Sequence, residues 1–160
     1  MAQDIFLKLD GIEGESQDAV HKNEIDVSSW TWQIFHEANM HQGSGGGSGK
    51  ATVKDLSFVH TVDRASPNFM KFCLTGKHIP EAKLTVRKAG GSPLEYLKIT
   101  MNDVVITNVQ PSASSSDESV QEQISLSFAK VKQEYTVQNQ QGGSGGAVTA
   151  GYDIKLNKEA

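Results

Sequence analysis

Cys73 is the one cysteine in a chain of 160 residues, so no disulfide can close within a monomer and oxidative stapling plays no part. A concentrated basic footprint is missing too. The 15 basic and 19 acidic residues leave a net charge of −4, with no block of one sign. Nucleic acid is therefore not an expected partner, because phosphate backbones select clustered Lys and Arg. No run approaches the ~20 apolar residues that cross a bilayer, which excludes insertion by a helix. Residues 1–10 have no basic start, no long apolar stretch and no small-residue cleavage site, and they read as a strand instead of a signal peptide. The expectation is synthesis in a reducing compartment, with any export following a route that reads no cleaved leader. Hydrophobic residues make up 37%, which suits a thin β architecture over a thick α/β core. The length fits a single domain over 1–160.

What is present alternates. Residues 25–35 hold both tryptophans among β-branched and aromatic neighbours, the signature of a strand. Strand geometry puts Trp30, Trp32 and Ile34 on one face and Thr31 and Gln33 on the other. Ile25 and Val27 sit on the opposite phase, so a bulge or sharp bend is expected near Ser28 and Ser29. Burying two indoles removes ~300–500 Å² from water, an upper bound of roughly 8–12 kcal/mol. This segment is read as the spine of a curved sheet. Further strands are expected over 4–10, 52–62, 83–88, 94–101, 104–109, 121–137 and 148–156, with glycine- or serine-rich loops between them. One helix is expected, with Ser66 as its N-cap, Pro67 in its first turn, an apolar face of Phe69, Met70, Phe72, Cys73 and Leu74, and Gly76 as its stop. The fold class is all-β: a β-sandwich or closed β-barrel of about eight strands with one short α-helix.

The chemistry-bearing motifs fail on context. Gly49-Lys50 lacks the earlier glycine and following hydroxyl of a phosphate loop, and a strand follows it where the motif needs a helix. Residues 142–146 match the letters of a nucleophile elbow, but no histidine follows them. His36 and His41 are one residue too far apart for a zinc-protease pair, and no other ligand spacing fits a metal. Asp117 and Glu118 sit in a solvated serine loop, and Cys73 reads as a small core hydrophobe. No catalytic set, cofactor or metal is expected. A glycine-rich loop over 43–49 and open sheet edges fit an assembling subunit, since an edge left open invites pairing with another chain.

Several stretches, taken in order, resemble the Hcp family of the bacterial type VI secretion system. They are residues 4–16 (DIFLKLDGIEGES), 25–32 (IDVSSWTW), Gly49-Lys50, 63–67 (DRASP), 76–78 (GKH), 83–91 (KLTVRKAGG), 95–97 (EYL), 125–131 (SLSFAKV) and 134–135 (EY). The resemblance spans nearly the whole chain. It implies a β-barrel-like subunit that forms homo-hexameric rings, stacked into a tube inside a contractile sheath with spike components. It further implies that effector proteins ride in the ring lumen, and that the protein is cytoplasmic before firing and extracellular afterwards. Thr31 takes the family's small polar, lumen-facing place between the tryptophans, although the pattern without the family reads as plain solvent exposure. The ring-contact arm corresponds to Met40, His41, Gln42, Gly43, Ser44, Gly45, Gly46, Gly47, Ser48, Gly49 and Lys50. Three other readings stay open on the residues alone: a ligand-binding β-barrel, a hydrolase with an unrecognised site and a phage-like tail tube protein.

Overall fold

The computed structural model of the chain describes residues 2–38, 50–90, 93–141 and 143–160. The elements are β1 (Gln3–Leu9), β2 (Ile25–Asp26), β3 (Ser29–Thr31), β4 (Ile34–His36), β5 (Ala51–Val53), β6 (Leu56–Thr61), α1 (Ser66–Thr75), β7 (Ile79–Lys88), β8 (Glu95–Ser112), β9 (Gln121–Gln138), β10 (Ser144–Asp153) and β11 (Lys158–Glu159). This is an all-β fold with one short helix. The strands run in the order β11-β10-β9-β8-β7-β1-β2, and β9 also carries β6, which in turn carries β3.

The spine is the β8–β9 pair. The stretches expected as two strands, 94–101 and 104–109, are one strand of 18 residues, and β9 matches it in length. Ile99 and Met101 are buried on one phase of β8, and Val104 and Ile106 on the other. On β9 the phase likewise passes from Ile124, Leu126 and Phe128 to Val131. Both changes fall at one step, because Asn102 faces Lys130 and Val104 faces Phe128. Asp103 stands there with φ of 54°, a left-handed backbone that Asp tolerates better than most residues. The pair thus turns its buried face over once. Its far part lies between β7 and β10, while the near part of β9 takes β6.

The tryptophan segment is not that spine. It breaks into β2, β3 and β4, and the break between β2 and β3 falls where the phase slip places a bend. β2 pairs with β1, and β3 pairs with β6. The hydrogen-bonded path from β6 through β9, β8, β7 and β1 is therefore bridged by one bent segment and not closed by a continuous ladder. Trp30 and Trp32 are half-buried against the core, and Ile34 is 57% exposed, so the area taken from water falls short of two fully covered indoles. The stretch 52–62 is also divided, into β5 and β6. In β6, Leu56, Phe58 and His60 are buried in alternation, as their period-2 spacing predicts.

Helix α1 follows the expected span with two corrections. The capping position is Ala65, whose backbone is already helical, and no side chain caps it. The Ser66 hydroxyl donates to Glu122 instead, at 2.9 Å. Phe69 and Phe72 are buried, whereas Met70 and Leu74 are 56% and 79% exposed. At 100° per residue an apolar list longer than one face must put part of itself in water. Gly76 ends the helix at φ of 68°, with its N–H donating to Phe72 O, a conformation that suits glycine. Phe69 meets Phe58 and His60 edge to face at 6.0 and 5.4 Å. Phe69→Ala is expected to cost about 3–5 kcal/mol in denaturant unfolding, and Leu74→Ala less than about 0.5 kcal/mol. Equal costs at the two positions would contradict this docking of the helix.

Candidate functional site

Three surfaces and two interior networks can carry function. The first surface is β10. It pairs with β9 along its length and, among the described residues, with β11 only at Tyr152 and Asp153. Residues 144–150 are exposed throughout, and no Lys, Arg, Asp or Glu occurs in β10 before Asp153. Exposed Val148, at 66%, faces Tyr135 across the ladder. A free edge without charge or proline is a template for another strand.

The second surface is the ribbon of β4 and β5, joined by the pairs Ile34 with Val53, Phe35 with Thr52, and His36 with Ala51. It is a separate two-stranded sheet, and such a ribbon is marginal in water unless something covers it. Lys54 Nζ lies 5.9 Å from the Phe35 ring. The ribbon leads into the arm read from the sequence. Of that arm, Met40 through Gly49 lie outside the described residues, and Lys50 is exposed at the foot of β5.

The third is Thr31. It is exposed, pairs with Ser57, and stands between the half-buried Trp30 and Trp32. Trp32 is anchored by its indole N–H, which donates to Lys54 O at 2.9 Å, and by Phe128 at 5.9 Å. The alternation read from the sequence is therefore kept through these three residues, although the strand itself ends at Thr31.

The first interior network fastens the polar segment after β1. Arg87 donates to both oxygens of Asp18, at 2.7 and 3.0 Å, and to Asp4 at 3.1 Å. The Asp18 carboxylate also accepts the backbone N–H groups of Val20 and His21. With the guanidinium hydrogen bond the largest cause, the Asp18 carboxyl is held well below the usual carboxylate range, and Arg87 is raised in turn. His21 stacks on Phe6 with ring centroids 4.4 Å apart. Its Nδ1 lies 2.9 Å from Glu24 and its Nε2 lies 2.6 Å from Glu95. Gly14 in this segment has no room for a side chain, since a Cβ would sit 2.6 Å from Glu24 O.

The second network is buried under α1. His60 Nε2 lies 2.8 Å from Glu122 Oε1, which also accepts from Ser66. His60 Nδ1 has no hydrogen-bond partner among the described residues, its nearest acid being Asp63 Oδ2 at 3.8 Å. A serine, a histidine and a carboxylate are thus together, but not as a nucleophile relay. Ser66 donates to the acid and not to the histidine, and His60 and Glu122 are 0% and 4% exposed. Burial, its largest influence, raises the Asp63 carboxyl against a bond from Ala65 N–H. No group of His, Cys, Asp and Glu among the described residues could hold a metal. Neither network was legible in the sequence, because each joins residues far apart in the chain.

The family model described as type VI secretion system effector, Hcp, matches residues 6–135. Protein hcp1 of Pseudomonas aeruginosa is 43% identical, with all of both chains covered. The crystal structure of Hcp1 from Salmonella typhimurium is 55% identical, covers all of both chains and superposes with a TM-score of 0.85. A type VI secretion system effector from Yersinia pestis is 40% identical over 94% of this chain and all of its own, with a TM-score of 0.76.

The lowered Asp18 carboxyl has a signed consequence. A depressed native value adds stability above the unfolded value, and that stability is lost as pH falls through the native one. Asp18→Asn is expected to be less stable than the parent at pH 7, with the gap narrowing only below about pH 4. Melting curves of the two proteins across that range check this, and a gap that stays constant down to pH 2 would remove the ion pair as its cause.

Proposed function

The chain belongs to the Hcp family of type VI secretion proteins, and on that premise we propose that it is the subunit of the secreted tube. Proteins of this family are secreted structural components of the system. In the proposed role, six copies close into a ring, rings stack inside a contractile sheath behind the spike, and effector proteins travel in the lumen. The chain is cytoplasmic until firing, and it acts by assembly, not by catalysis. The observation that carries the reading is the uncharged open edge of β10. An edge of this kind meeting a different edge on the next copy is a heterologous contact, and such contacts close into rings when the rotation allows. Residues 40–50, which join β4 to β5, are proposed as the ring-contact arm, and contact with another copy would cover the exposed ribbon. Thr31 is proposed to face the lumen, as a small polar side chain that leaves room for cargo.

The native mass of the purified protein by light scattering, with negative-stain images, tests the reading. A mass near six chains with ring-shaped particles is expected, and a clean monomer at high concentration would overturn it. Val148→Lys should shift the mass toward monomer without lowering the melting temperature of the monomer, because the side chain is already in water. Replacing residues 43–49 by a short turn should spare the fold and weaken assembly, and an unaltered hexamer with unaltered tube formation would count against the arm. Thr31→Gln should preserve the ring and diminish co-purification of a carried effector. Unchanged cargo recovery would remove Thr31 from the lumen.

A further inference from the structure

Between β1 and β3 the sheet comes apart. β2 pairs with β1 only at Phe6 with Asp26 and Leu7 with Ile25. The last bond on that side runs from Val27 N–H to Ile5 O at 2.9 Å, and one residue later Ser28 N–H reaches Val59 O on β6 at 2.8 Å. The Ile5 carbonyl points toward β2, so by strand alternation Ile5 N–H and both main-chain groups of Gln3 point the same way. Among the described residues no strand continues beside them. The opening is a cleft of about 440 Å³ lined among others by Gln3, Asp4, Ile5, Asp26, Val27 and Ser28.

The cleft is acidic. Among the described residues, Asp4 and Asp26 are its only charged lining residues. Asp4 shares Arg87 with Asp18, but Asp26 makes no ion pair among the described residues. Asp26 is exposed at its rim, yet loss of water raises its carboxyl, against a hydrogen bond from Ser16 and with the charges of Asp18 and Asp4 adding to the rise. A carboxylate crowded by two others and lacking a cation is stabilised by a positive group brought alongside.

We propose that this cleft accepts an extended segment of a partner protein as an added strand on β1, with a Lys or Arg side chain set against Asp26 and Asp4. Main-chain bonds to Gln3 and Ile5 supply the register, and the two carboxylates supply the selectivity, as in other strand-addition sites. The partner is a different protein and not a second copy using its free edge, because β10 carries no Lys or Arg. The inference rests on main-chain geometry and charge, not on the ring, which the native mass judges separately.

The probe is a fluorescein-labelled heptapeptide of alternating Lys with Thr or Val, beside the same peptide with Glu for Lys, added to the full-length protein. Anisotropy should show the basic peptide bound at least about tenfold more tightly than the acidic one, the preference falling with salt. Asp26→Asn should erase that preference, and Asp26→Glu should keep it. Amide hydrogen exchange at Gln3 and Ile5 should slow when the basic peptide binds, and alternate N-methylation of the peptide should abolish binding. Equal affinity for both peptides, no binding, or binding without protection of these two amides would each overturn the proposal. Protection of Gln3 and Ile5 before any peptide is added, with no peptide bound, would mean that a second copy fills the cleft and would also overturn it.

Discussion

The 18 residues of β8 lie antiparallel to the 18 of β9, and both strands turn their buried face over at the step where Asp103 stands beside Ala129. A strand has only two faces and a side-chain period of two, so one pair can cover two differently placed layers only if its phase reverses. The left-handed backbone at Asp103 marks that reversal. Beyond it, Val104 and Ile106 pack into the same core as Leu126, Phe128 and helix α1. Before it, Ile99, Met101 and Val131 meet the layer built by β7 and β1. A slip of one residue in this pair would bring polar neighbours inward along its whole length.

The polar segment between β1 and β2 depends on that frame. Polar loops order only when their backbone groups and charges find partners, and here the partners are on strands. Arg87 on β7 holds Asp18, and Glu95 at the start of β8 meets His21. The short strand β2 is thereby held against the middle of β1 and not against its beginning. The cleft beside Gln3 and Ile5 follows from the same geometry, because the chain must leave β1 at Val27 to reach β6.

Surface and interior divide the chemistry. His60, Glu122 and Ser66 are buried at the start of α1, where Glu122 accepts from Ser66 and lies against His60, so they join the helix start to β6 and β9. Among the features that face outward are the β10 edge, the ribbon bearing Ile34 and Phe35, and the short polar Thr31 between two anchored indoles. The family to which the protein belongs is one of secreted structural components.

Local pattern determined the β class, the alternation of Leu56, Phe58 and His60, the single helix with its glycine stop, and the bend after Val27, because each depends on neighbours within a few residues. The order of segments was enough to identify the family. Tertiary structure alone decided which strands lead. The tryptophan segment looked like the spine, since aromatic density signals burial, yet packing left both indoles half-covered and split the segment among three partners. Met70 and Leu74 read as core but face water, because the sheet offers α1 only one face to dock. The ion pair of Arg87 with Asp18, the hydrogen bond between His60 and Glu122, and the opening beside β1 join positions tens of residues apart, and no local spacing encodes which distant strand becomes a neighbour.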